Sequence, residues 1–338
     1  MSHEHIKIYS KVPYNTGLSK YPDLTPYRED WTPADALECS FNPEKRRNDM
    51  LGPNTAQRKL YIPRGFVSDK YDDEPYIVPF IAKGSRKAVL VVAGGAYQDV
   101  SLDGEGYPTC EYLQSRGVSA FALKYRVYPY KYPCAQLDLR RALCYLKYHA
   151  GEFGIDPDMI SVIGFSAGGN LVGLTTYLFR EMPEAPGYEK DEIDMLDPVP
   201  ATIGVIYPEL CADKFLMSLQ FGERIFSDEE FCEKTLKETY VPGYVKEGTP
   251  PVFMCCCNDD SVVSPENILN MADACLKNNV VFEVHMFSEG GHGFGATQTD
   301  IPPMFGIPGR RMAGTKEWIS LYVTWLDKVL TREDRGGR

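Results

Sequence analysis

Residues 159–170 read Met159-Ile160-Ser161-Val162-Ile163-Gly164-Phe165-Ser166-Ala167-Gly168-Gly169-Asn170. A short apolar run suited to a buried strand breaks into Gly-X-Ser-X-Gly and continues as Leu171-Val172-Gly173-Leu174, which is compatible with a helix. The pattern predicts a sharp strand-to-helix turn with Ser166 at its apex, a nucleophile elbow. The glycines at 164 and 168 have a steric task there, because side chains two residues either side of a strained serine would strike neighbouring backbone. Ser166 would then stand at the positive end of a helix dipole. A glycine-rich turn without chemistry can carry the same five residues; the strand before and the helix after favour the elbow.

A serine hydroxyl is a weak nucleophile until a base takes its proton, and that base is nearly always histidine. The chain has five histidines: His3, His5, His149, His285 and His292. The first two fall in a polar amino-terminal stretch expected to be mobile. His149 follows a helical run, at an expected surface position. His285 alternates with Glu283 in Val281-Phe282-Glu283-Val284-His285-Met286-Phe287, and reads as a strand residue on a polar face. His292 differs, because Ser288-Glu289-Gly290-Gly291-His292-Gly293-Phe294-Gly295 is a glycine-rich loop after a strand, with room for the imidazole to reach a neighbour.

An acid must orient the imidazole, and in the order Ser, acid, His it belongs at a strand end between 166 and 292. The apolar run Val252-Phe253-Met254-Cys255-Cys256-Cys257 ends in Asn258-Asp259-Asp260. Asp259 and Asp260 are both candidates; adjacent residues cannot both face the histidine, and the pattern alone does not choose between them. Donors for an oxyanion are expected from the amide of Ala167 and from a second glycine-rich turn, Ala93-Gly94-Gly95-Ala96-Tyr97, through Gly95 or Ala96. That turn lacks the lysine-threonine sequel of a phosphate loop and has no dinucleotide fingerprint.

Together these segments resemble the esterase/lipase branch of the α/β-hydrolase superfamily, near the feruloyl-esterase-like and acetyl esterase or acetyl xylan esterase groups. The resemblance rests on Val91-Val92-Ala93-Gly94-Gly95-Ala96-Tyr97, on Ala120-Phe121-Ala122-Leu123-Lys124-Tyr125-Arg126-Val127, and on Gly154-Ile155-Asp156-Pro157-Asp158 leading into the elbow. It rests further on Thr249-Pro250-Pro251 with Asn258-Asp259-Asp260-Ser261-Val262-Val263, and on Gly291-His292-Gly293-Phe294. It spans roughly residues 60 to 330. It implies an α/β-hydrolase fold, a doubly wound and mostly parallel sheet with helices on both faces, and a catalytic triad of Ser166, His292 and, by the habit of relatives with a double aspartate before Val-Val, Asp259. Ala93, where relatives often carry His or Pro, and Ala96, in place of a third glycine, depart from the pattern without removing a backbone donor.

The remaining sequence agrees with one large α/β domain. At 338 residues and 43% hydrophobic composition the chain can bury a substantial core. A net charge of −11 argues against nucleic acid or an anionic membrane as partner. No apolar run reaches the roughly 18 residues of a spanning helix, and the first residues lack the blocks of a signal peptide. The ten cysteines include three in succession at 255–257 and read as core residues of a reduced, cytoplasmic protein. No Cys-X-X-Cys or Cys/His set has metal-binding spacing, so neither a metal nor a cofactor is expected.

Residues 1 to 60 are expected to form an irregular appendage, residues 61 to 330 the hydrolase domain, and residues 331 to 338 a polar tail. A small cap is expected within 211–248. In 315–330, Trp318, Leu321, Tyr322, Trp325 and Val329 share one helical face for core packing. The function these readings point to is hydrolysis of a small-molecule ester with a short acyl chain, with an acetylated sugar as the expected substrate, held against Tyr97 and near Tyr128, Tyr130 and Tyr132. A prolyl-oligopeptidase-like peptidase and a catalytically silent binding protein on the same scaffold are the alternatives. Homo-oligomerisation is left open.

Overall fold

The computed structural model describes residues 4–14, 74–127, 130–211, 213–222, 224–296 and 315–331. An eight-stranded sheet runs through it in the order β1-β2-β4-β3-β5-β6-β7-β8. The strands are β1 (Ile6–Lys7), β2 (Tyr76–Phe80), β3 (Ala88–Val92), β4 (Ser119–Lys124), β5 (Ile160–Phe165), β6 (Ile203–Ile206), β7 (Val252–Cys257) and β8 (Phe282–Phe287). β1 pairs antiparallel with β2 and β2 with β4, while every pairing from β4 through β3 to β8 is parallel. Parallel strands covered on both faces must be apolar throughout. Accordingly Ala88–Val92, Ile160–Phe165 and Val252–Cys257 are buried at every position.

Crossover helices flank the sheet, α1 (Tyr107–Ser115), α2 (Cys134–Tyr148), α3 (Ala150–Phe153), α4 (Ala167–Leu178) and α8 (Glu266–Lys277), and α9 (Trp318–Leu330) follows the last strand. Between β6 and β7 lie α5 (Lys214–Phe221), α6 (Arg224–Ser227) and α7 (Glu229–Glu238). These fill the 211–248 stretch expected to form a small cap. α5 turns Leu216, Met217 and Leu219 into the main core, so the insertion is packed down on the domain. In α9, Trp318, Tyr322, Trp325 and Val329 are buried as their spacing implies, with Leu321 half-buried beside them.

The amino-terminal stretch departs from expectation over its described part. Far from being a mobile tail, residues 4–14 extend the sheet through β1 and bury Ile8 and Tyr9. The cause is a set of buried polar anchors on α2. Tyr9 donates its hydroxyl to the Leu137 carbonyl at 2.8 Å, and Arg141 Nε donates to the Ile8 carbonyl at 2.7 Å. Arg126, just past β4, forks onto Asp138 and gives its remaining arm to the Pro13 carbonyl at 2.6 Å. Both members of that ion pair are wholly buried. Burial alone would lower the guanidinium pKa, but the Asp138 carboxylate more than offsets it and leaves Arg126 raised. His5 stacks on Tyr76 with ring centroids 4.0 Å apart, while His3, residues 15–60 and Tyr128 lie outside the described residues.

The cysteines at 255–257 are buried in β7, and all those among the described residues are free thiols. No described helix is long and apolar enough to cross a membrane. No group of three or more metal-ligating side chains occurs among the described residues.

Candidate active site

Ser166 lies between β5 and α4 with φ 50° and ψ −119°, a conformation that costs energy for any residue with a Cβ. Its backbone is committed on both sides. The amide donates to the Ile206 carbonyl at 3.0 Å, and the carbonyl accepts from Gly169 at 3.0 Å. The flanking glycines are sterically required: a Cβ on Gly164 would fall 2.4 Å from the Gly168 carbonyl oxygen, and one on Gly168 would fall 2.3 Å from that of Val92. The elbow thus wedges the first turn of α4 against the end of β3.

His292 Nε2 lies 2.9 Å from Ser166 Oγ, and its Nδ1 lies 2.8 Å from Asp260 Oδ2. The acid of this arrangement is therefore Asp260, which corrects the expectation of Asp259. Asp260 is buried, with its other oxygen accepting the amides of Val262 and Val263, each at 2.9 Å. Asp259 turns the opposite way and accepts the Gly291 amide at 2.8 Å and the Gly290 amide at 3.2 Å. It braces the loop that carries His292 instead of touching the ring. A signal was present in Asp260-Ser261-Val262-Val263: an aspartate that caps the amides two and three residues on has one oxygen left for a partner across the site.

The turn at residues 94–97, from which an oxyanion donor is expected, is held equally firmly. Gly95 adopts φ 130°, and its carbonyl accepts from the amides of Gln98 at 2.9 Å and Asp99 at 3.1 Å. A Cβ at Gly95 would lie 2.1 Å from the Asp99 oxygen, so no larger residue fits. Ala96 and Tyr97 both follow at φ 55°. Ala167 is the first residue of α4, and its amide has no intrahelical acceptor.

Tyr97 does not offer its hydroxyl to a ligand. It is 3% exposed, and the hydroxyl donates to Asn170 Oδ1 at 2.8 Å. This ties the strained turn to the first turns of α4. Tyr130 is likewise buried beneath the Arg126 guanidinium, and Tyr132 stacks on Phe221 of α5 with centroids 4.7 Å apart. Of the tyrosines expected to face a sugar, the three described ones, Tyr97, Tyr130 and Tyr132, therefore pack against the protein itself. His285 bonds Glu283 at 2.8 Å and His149 bonds Glu152 at 2.7 Å, each pairing with a close neighbour in sequence.

Three further side chains bear on Ser166 and His292: Tyr207 and Glu209, which no motif marks, and Trp318, whose spacing announces only core packing. Tyr207 follows β6 at φ 37°, with its ring edge-on to His292 at 4.9 Å between centroids. Glu209 is buried nearby, and its amide donates to the Ser166 carbonyl at 3.3 Å. Burial, then the charges of Asp213 and Asp260, push its carboxyl up to about 8. Trp318 donates its indole N–H to the Gly295 carbonyl at 2.7 Å, so the aromatic face of α9 fastens the histidine loop as well as filling the core.

A sheet in this order, with a serine at the β5–α4 turn, an acid after β7 and a histidine after β8, defines an α/β hydrolase. The family model described as BD-FAE matches residues 77–196. The crystal structure of the acetyl ester-xyloside bifunctional hydrolase from Caldicellulosiruptor lactoaceticus is similar at 30% identity and a TM-score of 0.63, covering 82% of this chain and 94% of that one. The chain belongs to the α/β-hydrolase esterase family. Curated relatives include the probable carboxylic ester hydrolase LipM of Mycobacterium tuberculosis, 26% identical over 56% of this chain. The acetylxylan esterase of Xylanibacter ruminicola is 22% identical over 66% of it. The chain spans less than half the length of these two proteins, 45% and 44% respectively.

Proposed function

We propose that the chain is a serine carboxylesterase that cleaves short-chain acyl esters, with acetylated carbohydrates as its substrate class. The observation that carries this reading is His292 bridging Ser166 and Asp260 at hydrogen-bonding distance on both sides. His292 takes the Ser166 proton as the hydroxyl oxygen adds to the ester carbonyl. Asp260 holds the ring in the tautomer that leaves Nε2 free to accept, and stabilises the imidazolium that forms. The amides of Ala167 and of Gly95 or Ala96 receive the oxyanion. The imidazolium then protonates the departing alcohol, and water repeats the cycle on the acyl-serine to release a carboxylate.

The short acyl preference follows from the insertion between β6 and β7. Its helices are 8, 4 and 10 residues long, and α5 spends its apolar side chains on the core. A long acyl chain would find little surface there, and each methylene left in water forgoes about 0.8 kcal/mol. The names of the acetylxylan esterase and the acetyl ester-xyloside hydrolase support a sugar acetate as the substrate. An intact Ser-His-Asp arrangement disfavours a silent binding scaffold.

The test is hydrolysis of aryl acetate, butyrate and octanoate beside acetylated xylo-oligosaccharides, with covalent labelling by a fluorophosphonate. Expected are a steep fall in kcat/KM from acetate to octanoate and acetate release from the sugars. Ser166→Ala and His292→Ala should each lose about 10^3-fold or more, with little further loss in the double variant. Retained labelling of Ser166→Ala would refute the nucleophile; a preference for octanoate would refute the short-chain assignment.

A further inference from the structure

Glu105 is a buried acid at the catalytic end of the sheet that the triad does not use. It lies in the turn ahead of α1 and is 7% exposed. One carboxyl oxygen accepts the Gly94 amide at 2.5 Å, and the other accepts the Tyr207 hydroxyl at 2.9 Å. The Tyr207 oxygen in turn accepts the Gly295 amide at 3.2 Å. The Tyr207 ring packs edge-on against both His292 and Phe294. Burial raises the Glu105 carboxyl, opposed by the Gly94 and Tyr207 hydrogen bonds and by the positive charge His292 can carry.

We propose that Glu105, acting through Gly94 and Tyr207, is a positioning residue that locks the oxyanion turn to the loop carrying His292. The assignment rests on reading Ser166 as the acyl-transfer nucleophile. Two separate chain segments, Gly94 at the head of the oxyanion turn and Gly295 three residues past the base, meet on one carboxyl–phenol pair. The two carboxyl oxygens take the Gly94 N–H and the Tyr207 O–H separately, whereas an amide of the same shape keeps one acceptor oxygen and turns a donor towards the other partner. The spacing leaves no slack. A Cβ placed on Gly94 would lie 3.1 Å from Glu105 Oε2 and 2.9 Å from Ser166 Cβ, so carboxylate, turn and nucleophile share one packed layer. Donors and base must keep their mutual placement to well under 1 Å, since a shift of about 1 Å can cost about 10^2-fold in rate.

The experiment compares wild type, Glu105→Gln and Tyr207→Phe, with active sites counted by exhaustive fluorophosphonate labelling. Steady-state aryl acetate hydrolysis and the affinity for an aryl trifluoromethyl ketone, which mimics the tetrahedral adduct, are both measured. The expected result is a fall in kcat of about 10- to 100-fold with KM within about threefold, and a parallel loss of ketone affinity. A merely structural role would lower Tm and leave kcat per active site unchanged, which would overturn the proposal. A rise in KM at constant kcat would overturn it too. Should Glu105→Gln fail to fold, Tyr207→Phe decides the matter, because it keeps the ring and the carboxyl and removes only the linking hydroxyl. A wild type that neither labels nor hydrolyses would sink the esterase reading and this assignment together, whereas an active wild type with unaffected variants sinks this assignment alone.

Discussion

Two neighbouring aspartates divide the work beside the base. Asp260 faces the imidazole, while Asp259 secures the loop amides behind it. Asp260→Asn should therefore cost about 10^3-fold or more in kcat, since the amide can stabilise the wrong tautomer and supplies no charge to the imidazolium. Asp259→Asn keeps one acceptor for Gly291 and should cost no more than about tenfold. Steady-state kinetics of the two variants check this, and a reversed order would return the role to Asp259. The pairing of Ser166 with His292 was legible because the elbow glycines record a steric need and the glycines around His292 take positive φ. The acid was not, because the choice depends on which way one turn rotates. Tyr97 was misjudged for a related reason: its place after the oxyanion turn is visible in the chain, but the Asn170 acceptor that draws it inward lies 73 residues away.

At the scale of elements, a continuous apolar run can mark a strand to the residue, as for Val252–Cys257. A two-residue strand such as β1 has no period to read. What holds it are guanidiniums from distant segments, and such pairing leaves no local trace in the sequence. This makes the Arg126–Asp138 pair a strong determinant of the amino-terminal edge. Replacing Arg126 with Met strands a carboxylate that has no access to water and frees the Pro13 carbonyl. The expected loss is about 3–5 kcal/mol. Urea denaturation should show it as a lower midpoint at unchanged slope, and a loss under about 1 kcal/mol would mean that water replaces the guanidinium.

For the molecule as a whole, the net charge and the apolar sheet were evident beforehand, whereas acids buried near the catalytic end were not. Glu209 couples that end to global stability. Its carboxyl is held up at about 8 against an ordinary 4.5, so the folded chain keeps a proton that the unfolded chain gives up. The stability it contributes is complete below about pH 4.5 and drains away as the pH rises towards about 8. Glu209→Gln, neutral throughout, should gain in Tm relative to wild type across that interval and level off above it. A Tm difference that does not vary between pH 5 and pH 8 would show that Glu209 is ionised in the folded protein.

The three successive cysteines of β7 give the core a built-in clock. Burial pushes the Cys256 and Cys257 thiols up to about 12 and holds Cys255 well above the ordinary thiol range. Alkylating reagents attack thiolates, so at neutral pH these positions stay silent until the sheet is uncovered. Because alternate residues of a strand point to opposite faces, Cys256 reports one layer of helices while Cys255 and Cys257 report the other. A brief pulse of iodoacetamide followed by peptide mass analysis would then show which face of the sheet sheds its helices first.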